Sequence, residues 1–252
     1  MEFEPLTILF IISVITFSGL VHGTLGLGFP MVATPLLALF LDVQTAILVT
    51  LFPTVAVNIG SIIYGGRWKK SIGRYWPLAF FTVFGSILGS HFLIASDSSL
   101  LRLLLAGIIL MYLNAERLGQ LPMWWIKKYP LTSMALFGVV GGFFTGSVNV
   151  MVPVLVIFTL KLGLETTAMI QVFNLCFLAG KLSQIGVFSS FGLLNMRSVM
   201  DSIPVIIAAI LALAIGIAMR RRIQAELYRK ILKRLLLVVS CVLIAEYFLL
   251  PG

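Results

Sequence analysis

Between Ile203 and Met219 the chain carries no charged side chain, and between Leu235 and Leu250 only Glu246. Such runs approach the roughly 20 mostly apolar residues that a helix needs to cross about 30 Å of hydrocarbon. With 60% hydrophobic and 11% charged residues, the 252-residue chain has too little polar surface to cover a soluble globule, so its expected solvent is a lipid bilayer. The net charge of +9 does not imply nucleic acid, because the basic residues fall in short loops between apolar spans. Cys176 and Cys241 both lie inside apolar segments and read as small core residues. Met1-Glu2-Phe3-Glu4 lacks a basic leader, so no secretory signal peptide is expected.

The apolar pattern divides into five segments per half: 6–28, 30–41, 43–65, 74–95 and 99–118, then 131–147, 149–162, 165–190, 202–219 and 230–250. The second in each half is short. Twelve to fourteen helical residues reach only about 18 to 21 Å, so these segments are expected to be half-helices. Each follows a Gly-rich interruption, Gly23 to Pro35 and Gly141 to Pro153, in which Gly, Gly and Pro recur 118 residues apart (141 − 23 = 146 − 28 = 153 − 35). Matched interruptions of this kind point to a transporter's binding site, because a broken helix frees backbone groups that must face protein or a polar cavity.

Basic residues cluster in three loops: Arg67, Lys69, Lys70 and Arg74; Arg117, Lys127 and Lys128; and Arg220, Arg221, Arg222, Arg229, Lys230, Lys233 and Arg234. All three are expected on the cytoplasmic side, with both termini outside. Holding them there makes each interrupted pair a hairpin, the first opening outward and the second inward. The expected fold is therefore an all-α polytopic membrane protein of two inverted-topology repeats, each a broken-helix hairpin plus three spanning helices. The repeats are residues 1–118 and 131–252, and residues 119–130, with Trp124 and Trp125, form an interfacial linker.

The breaks suit recognition of an anion by backbone N–H groups at half-helix N-termini. Gly26 and Gly28 in the first break and Gly146 in the second allow close approach, while Thr24, Thr145, Ser147 and Asn149 are expected to add donors. The bland reading of the glycines is close helix packing. Lys181 lies deep in segment 165–190, where a lysine costs about 2.5 to 3.5 kcal/mol, so it should face a cavity or a partner unless it snorkels to the interface. Gln171, Asn174 and Lys181 share one helical face. Asn58, in the middle of the N-terminal counterpart, either lines the same cavity or hydrogen-bonds across helices. His22, beside the first break, is either a proton-coupling group or a neutral packing residue. Gln44, Thr45, Glu165, Thr166 and Thr167 read as helix caps.

These hairpins resemble those of the TauE/SafE sulfite exporter family of membrane permeases, whose half-length repeats each open with a Gly-rich break followed by Pro-Leu. Here the matching residues are Gly23 to Leu36 and, with Val for Leu, Gly141 to Val154; the Thr-Ala starts at Thr45-Ala46 and Thr167-Ala168 extend the match. The resemblance implies transport of sulfite-like or sulfonate-like anions across the bacterial inner membrane. Gly28-Phe29-Pro30 and Gly146-Ser147-Val148-Asn149 replace the family's run of three glycines, which implies different ligand contacts. The expected partners are a small anion and the bilayer, with no cofactor, no metal and no nucleic acid; homo-oligomerisation stays open. No nucleophile–base pair, paired carboxylates or clustered metal ligands mark an enzyme. A passive anion channel is the closer alternative.

Overall fold

Proline and glycine mark several of the helix boundaries. The computed structural model describes residues 4–66, 68–220 and 225–249; the side chains of 68–72, 225, 227 and 228 are also outside the description. Arg67, Arg221, Arg222 and the side chains of Lys69 and Lys70, all used above for orientation, therefore lie outside the described residues. Among the described residues the structure is all-helical, with no strand.

Helix α1 (Pro5–Leu25) starts with Pro at its first position, where the missing N–H costs nothing, and ends at Gly26, whose φ of 81° is left-handed. After Gly28, α2 (Phe29–Leu37) has only 9 residues. α3 (Val43–Gly65) begins at Asp42, which accepts from the Thr45 N–H at 2.8 Å. α4 (Trp68–Ala95) and α5 (Ser98–Leu113) complete the first half. Two single turns follow, α6 (Ala115–Leu118) and α7 (Trp125–Lys128). α8 (Pro130–Val148) ends at Asn149 and α9 (Val152–Leu162) has 11 residues. Last come α10 (Thr166–Ser190), α11 (Met196–Met219) and α12 (Ala225–Leu249).

Six of these helices, α1, α3, α4, α8, α10 and α11, are long and apolar enough to cross a membrane. Their outward faces agree: Trp76, Phe80, Phe84 and Leu88 on α4, and Ile203, Ile207, Leu211 and Ile215 on α11, recur every four residues as exposed stripes. The chain is thus a multi-pass membrane protein. At 1.5 Å per residue α2 and α9 reach only about 13 to 17 Å, so neither crosses alone. Segment 99–118 is not one helix: α5 stops at Leu113 and Asn114 donates its side chain back to the Leu110 carbonyl at 3.0 Å.

The register between the halves differs from the 118-residue offset of the glycines. Pro30 in the first turn of α2 answers Pro153 in that of α9, and the acidic residue before α3, Asp42, answers Glu165 before α10, both at an offset of 123 (153 − 30 = 165 − 42). Pro35 sits inside α2, where it has no counterpart in the α9 turn. Helix starts carry this register because each is specified by the same local chemistry, an acidic residue before the helix or a proline within its first turn.

Packing crosses the halves. Gly19 and Gly23 of α1 lie against Ala209, Ala212, Leu213 and Gly216 of α11; Gly138, Gly142 and Gly146 of α8 lie against Leu78, Thr82, Ser86 and Ser90 of α4. In both pairs contacts advance together along the two chains, so the helices run parallel and close, backbone to backbone, as small residues permit. A compact cluster of Ile15, Phe29, Ala33, Val57, Ala209 and Leu213 ties α1, α2, α3 and α11 together, while α4, α8 and α10 meet through Ser86 and Gly180. These two bundles face each other across α3 and α10.

Candidate functional site

α3 and α10 each turn a polar stripe into that interface. Along α3 it is Thr50, Thr54, Asn58 and Ser61; along α10 it is Gln171, Asn174, Lys181 and Gln184, and all eight are buried. The helices run antiparallel. Gln171 at the start of α10 donates to the Ile62 and Gly66 carbonyls at the end of α3 (3.4 and 3.3 Å), whereas Gln184 reaches Gly146 at 2.8 Å and the adjacent Asn149 reaches Thr50 at 3.0 Å, near the start of α3.

Each break meets the polar stripe of the opposite half. At the first, Asn174 donates to the Gly26 carbonyl at 3.0 Å. At the second, Asn149 donates to Thr34 at 2.8 Å as well as to Thr50. Asn149 adopts φ 62°, the left-handed region, and is the only non-glycine to do so among the described residues. Asparagine tolerates this conformation better than most residues, and here its side chain also bonds α2 and α3.

Lys181 is wholly buried (0% exposed), so it does not snorkel. Its ammonium hydrogen-bonds Gln184 Oε1, which in turn hangs from the Gly146 carbonyl through Nε2. No carboxylate among the described residues is paired with it. Asn58 is buried as expected but makes no cross-helix bond: Nδ2 donates to the Thr54 carbonyl of its own helix at 2.8 Å and Oδ1 has no partner. The amide oxygens of Asn149, Gln171 and Asn174 are likewise buried without partners.

The hydroxyl donors expected at the breaks are spent elsewhere. Thr24 donates to the Leu20 carbonyl, Thr145 to Gly141 and Ser147 to Phe143, each one turn back on its own helix. This back-bonding satisfies a buried hydroxyl without a cross-chain partner, and it leaves these groups lone pairs rather than protons to offer. Gly28, at φ 103°, starts α2, whose first N–H, that of Phe29, goes to His22 Nδ1 at 3.2 Å. Gln44 does not cap α3; it donates to the Leu93 and Ser96 carbonyls at the end of α4.

Gln184, Thr34, Thr50 and Ser61 belong to the polar interface without having been anticipated there. Gln184 is three residues from Lys181, and Thr50, Thr54, Asn58 and Ser61 recur at helical spacing, so a stripe search on α3 equal to that on α10 finds all but Thr34. Away from the stripes, a cavity of about 390 Å³ opens between α1, α3 and the start of α11, lined by residues including Ile8, Phe52, Leu194 and Asp201 but by none of the expected ligand residues.

A lipid-solvated bundle whose interrupted helices enclose buried polar residues and one lysine has the form of a membrane permease. The chain belongs to the TauE/SafE sulfite exporter family, a family of membrane transporters: its model matches residues 11–243, nearly the whole chain. No curated protein and no solved structure matches it.

Proposed function

We propose that the protein carries a small anion, sulfite-like, sulfonate-like or another organic anion, across the bacterial inner membrane by alternating access, and that it has no enzymatic activity. The observation that carries this reading is Lys181, a buried lysine with no carboxylate partner among the described residues. Taking an ion out of water costs several kcal/mol that only a counter-charge and hydrogen bonds repay; a bound anion supplies both. Gln184 and Gly146 fix the ammonium at the second break, and Asn149, Asn174, Asn58 and Gln171 surround the path along α3 and α10.

Thr24, Gly26, Gly28, Thr145 and Ser147 then shape the hairpin tips and contribute no hydroxyl donors of their own. Complete burial of the polar stripes favours an occluding carrier over an open pore. The antiparallel course of α3 and α10, and the matching register of the helix starts, support reading the halves as inverted repeats on either side of the linker. With the basic loops cytoplasmic, both termini lie outside. Because α1 packs on α11 and α8 on α4, the bodies that move against each other are the two mixed bundles, not residues 1–118 against 131–252.

Proteoliposome uptake of sulfite, methanesulfonate, sulfate and acetate tests the reading, preceded by a thermal-shift screen of the same anions on the purified protein. Lys181→Ala is expected to abolish uptake of whichever anion is carried while expression is retained; unchanged uptake removes Lys181 from the site. Saturation with counterflow identifies a carrier, and unsaturable flux a channel.

A further inference from the structure

His22 is a second buried ionisable group of the polar interface, and anion binding at Lys181 makes no use of it. Its ring sits at the hinge of the first break. Nδ1 accepts the Phe29 N–H from across that break, so this nitrogen bears no proton. Nε2 therefore carries the ring proton and donates it to Ser61 Oγ of α3 at 2.9 Å. Asn174 of α10 lies at the same break, beside Gly26. Its Oδ1 is buried without a partner, while its amide nitrogen holds the Gly26 carbonyl.

A further proton has one place to go. The Nδ1 lone pair forms the new N–H bond, the ring becomes a cation with two donors, and the Phe29 N–H is released. The unpartnered Asn174 Oδ1 at the same break is the acceptor this N–H would take. Protonation thus exchanges a bond that closes the α1–α2 hinge for one that ties α1 to the opposite bundle.

Lys181, the other buried titratable nitrogen among the described residues, lies seven residues beyond Asn174 on α10, roughly 10 Å along the helix from the residue that bonds the first break. At an effective dielectric near 20, two like charges about 10 Å apart weaken each other's proton binding about ten-fold. Among the described residues, the other charged or titratable groups on the surrounding helices are exposed or lie on another face. Tyr64 of α3, Glu165 before α10, and Arg197, Asp201 and Arg220 of α11 are exposed, Cys176 of α10 faces Thr82 of α4, and α2 has none. An anion beside Lys181 cancels the repulsion, so proton and anion favour each other's binding.

We propose that His22 is a proton-binding site and that the protein is a proton–anion symporter, taking a proton on Nδ1 together with the anion at Lys181. The symport step rests on the anion reading of Lys181; the first test below does not. In nanodiscs, a His91→Gln background leaves His22 as the one histidine for ¹³C/¹⁵N labelling, since the chain has two. The ring is expected as the neutral Nε2–H tautomer. Lys181→Met, or Lys181→Gln should the first fail to fold, is expected to raise its proton affinity about ten-fold, one pH unit, and Asn174→Leu to lower it. A midpoint unmoved by both Lys181 variants, or a ring that takes no second proton above about pH 5 in any of them, overturns the proposal.

In proteoliposomes, an inward proton gradient is expected to accelerate methanesulfonate uptake by the native protein and to have no effect on His22→Gln. The same acceleration in His22→Gln overturns symport; if methanesulfonate is not carried, the titration decides alone. Failure of the anion reading looks different, as Lys181→Ala then takes up the anion like the native protein.

Discussion

Lys181 and Asn149 show how single residues here answer to function rather than to stability. Among the described residues Lys181 is held by Gln184 and by no carboxylate, so burying its ammonium is costly. Lys181→Met, similar in volume and apolar, should therefore lose transport yet unfold at the same or a higher temperature in detergent; a clear fall in unfolding temperature would make the lysine structural. Asn149 separates two contributions in the same way. Asn149→Gly keeps the left-handed turn but gives up the bonds to Thr34 and Thr50, about 1 to 2 kcal/mol. Asn149→Val also forces a β-branched residue into φ 62°, adding about 1 to 2 kcal/mol. Chemical unfolding should rank them native, Gly, Val, and equal losses would show that the turn carries no conformational cost.

At the scale of elements, the glycines of α8 and α1 serve packing, the bland reading, and the capping residues Gly26 and Asn149 make the breaks. A Cβ at Gly142 would meet the backbone of Thr82, Gly85 and Ser86, whereas one at Gly107 of α5 meets nothing. Gly142→Leu is expected to abolish folded expression and Gly107→Leu to leave it unchanged, as size-exclusion profiles in detergent would report. Element boundaries were legible because caps and prolines are local signals: the hairpins, the half-helices and the α3 and α10 spans all appear where the apolar pattern puts them. The repeat register was not. Gly23 and Gly146, the glycines that stand 123 residues apart, pack against other helices, so matching Gly28 to Gly146 by spacing alone placed the break five residues away from the register of the helix ends.

For the whole molecule, the crossed pairing of α1 with α11 and α8 with α4 makes each half depend on the other. Residues 1–118 and 131–252 expressed separately should each fail to give a stable membrane species. Co-expressed, they should co-purify through a tag on one of them; a stable, monodisperse N-terminal half on its own would contradict the crossed packing. Ion pairs add ties between distant segments, Arg102 of α5 to Glu246 of α12 at 3.2 Å and Lys233 of α12 to Glu116 of α6 at 2.8 Å. The more exposed pair, Lys233 with Glu116, contributes little, commonly under about 1 kcal/mol, while Arg102 and Glu246 are half-buried.

Hydrophobic run length, charge placement and proline–glycine punctuation act within a few turns of chain, and from them alone the sequence specified a helical membrane protein with two interrupted hairpins and a buried lysine. Which polar groups meet is a matter of residues far apart in the chain. That Asn174 holds Gly26, that Asn149 bonds Thr34 and Thr50, and that Lys181 has Gln184 and, among the described residues, no carboxylate beside it were decided only when α3 and α10 came together antiparallel. The hydroxyls of Thr24, Thr145 and Ser147 were read as ligands because their chemistry allows it. The folded chain spent them on the nearest carbonyl, since a buried donor bonds the acceptor its own helix already provides.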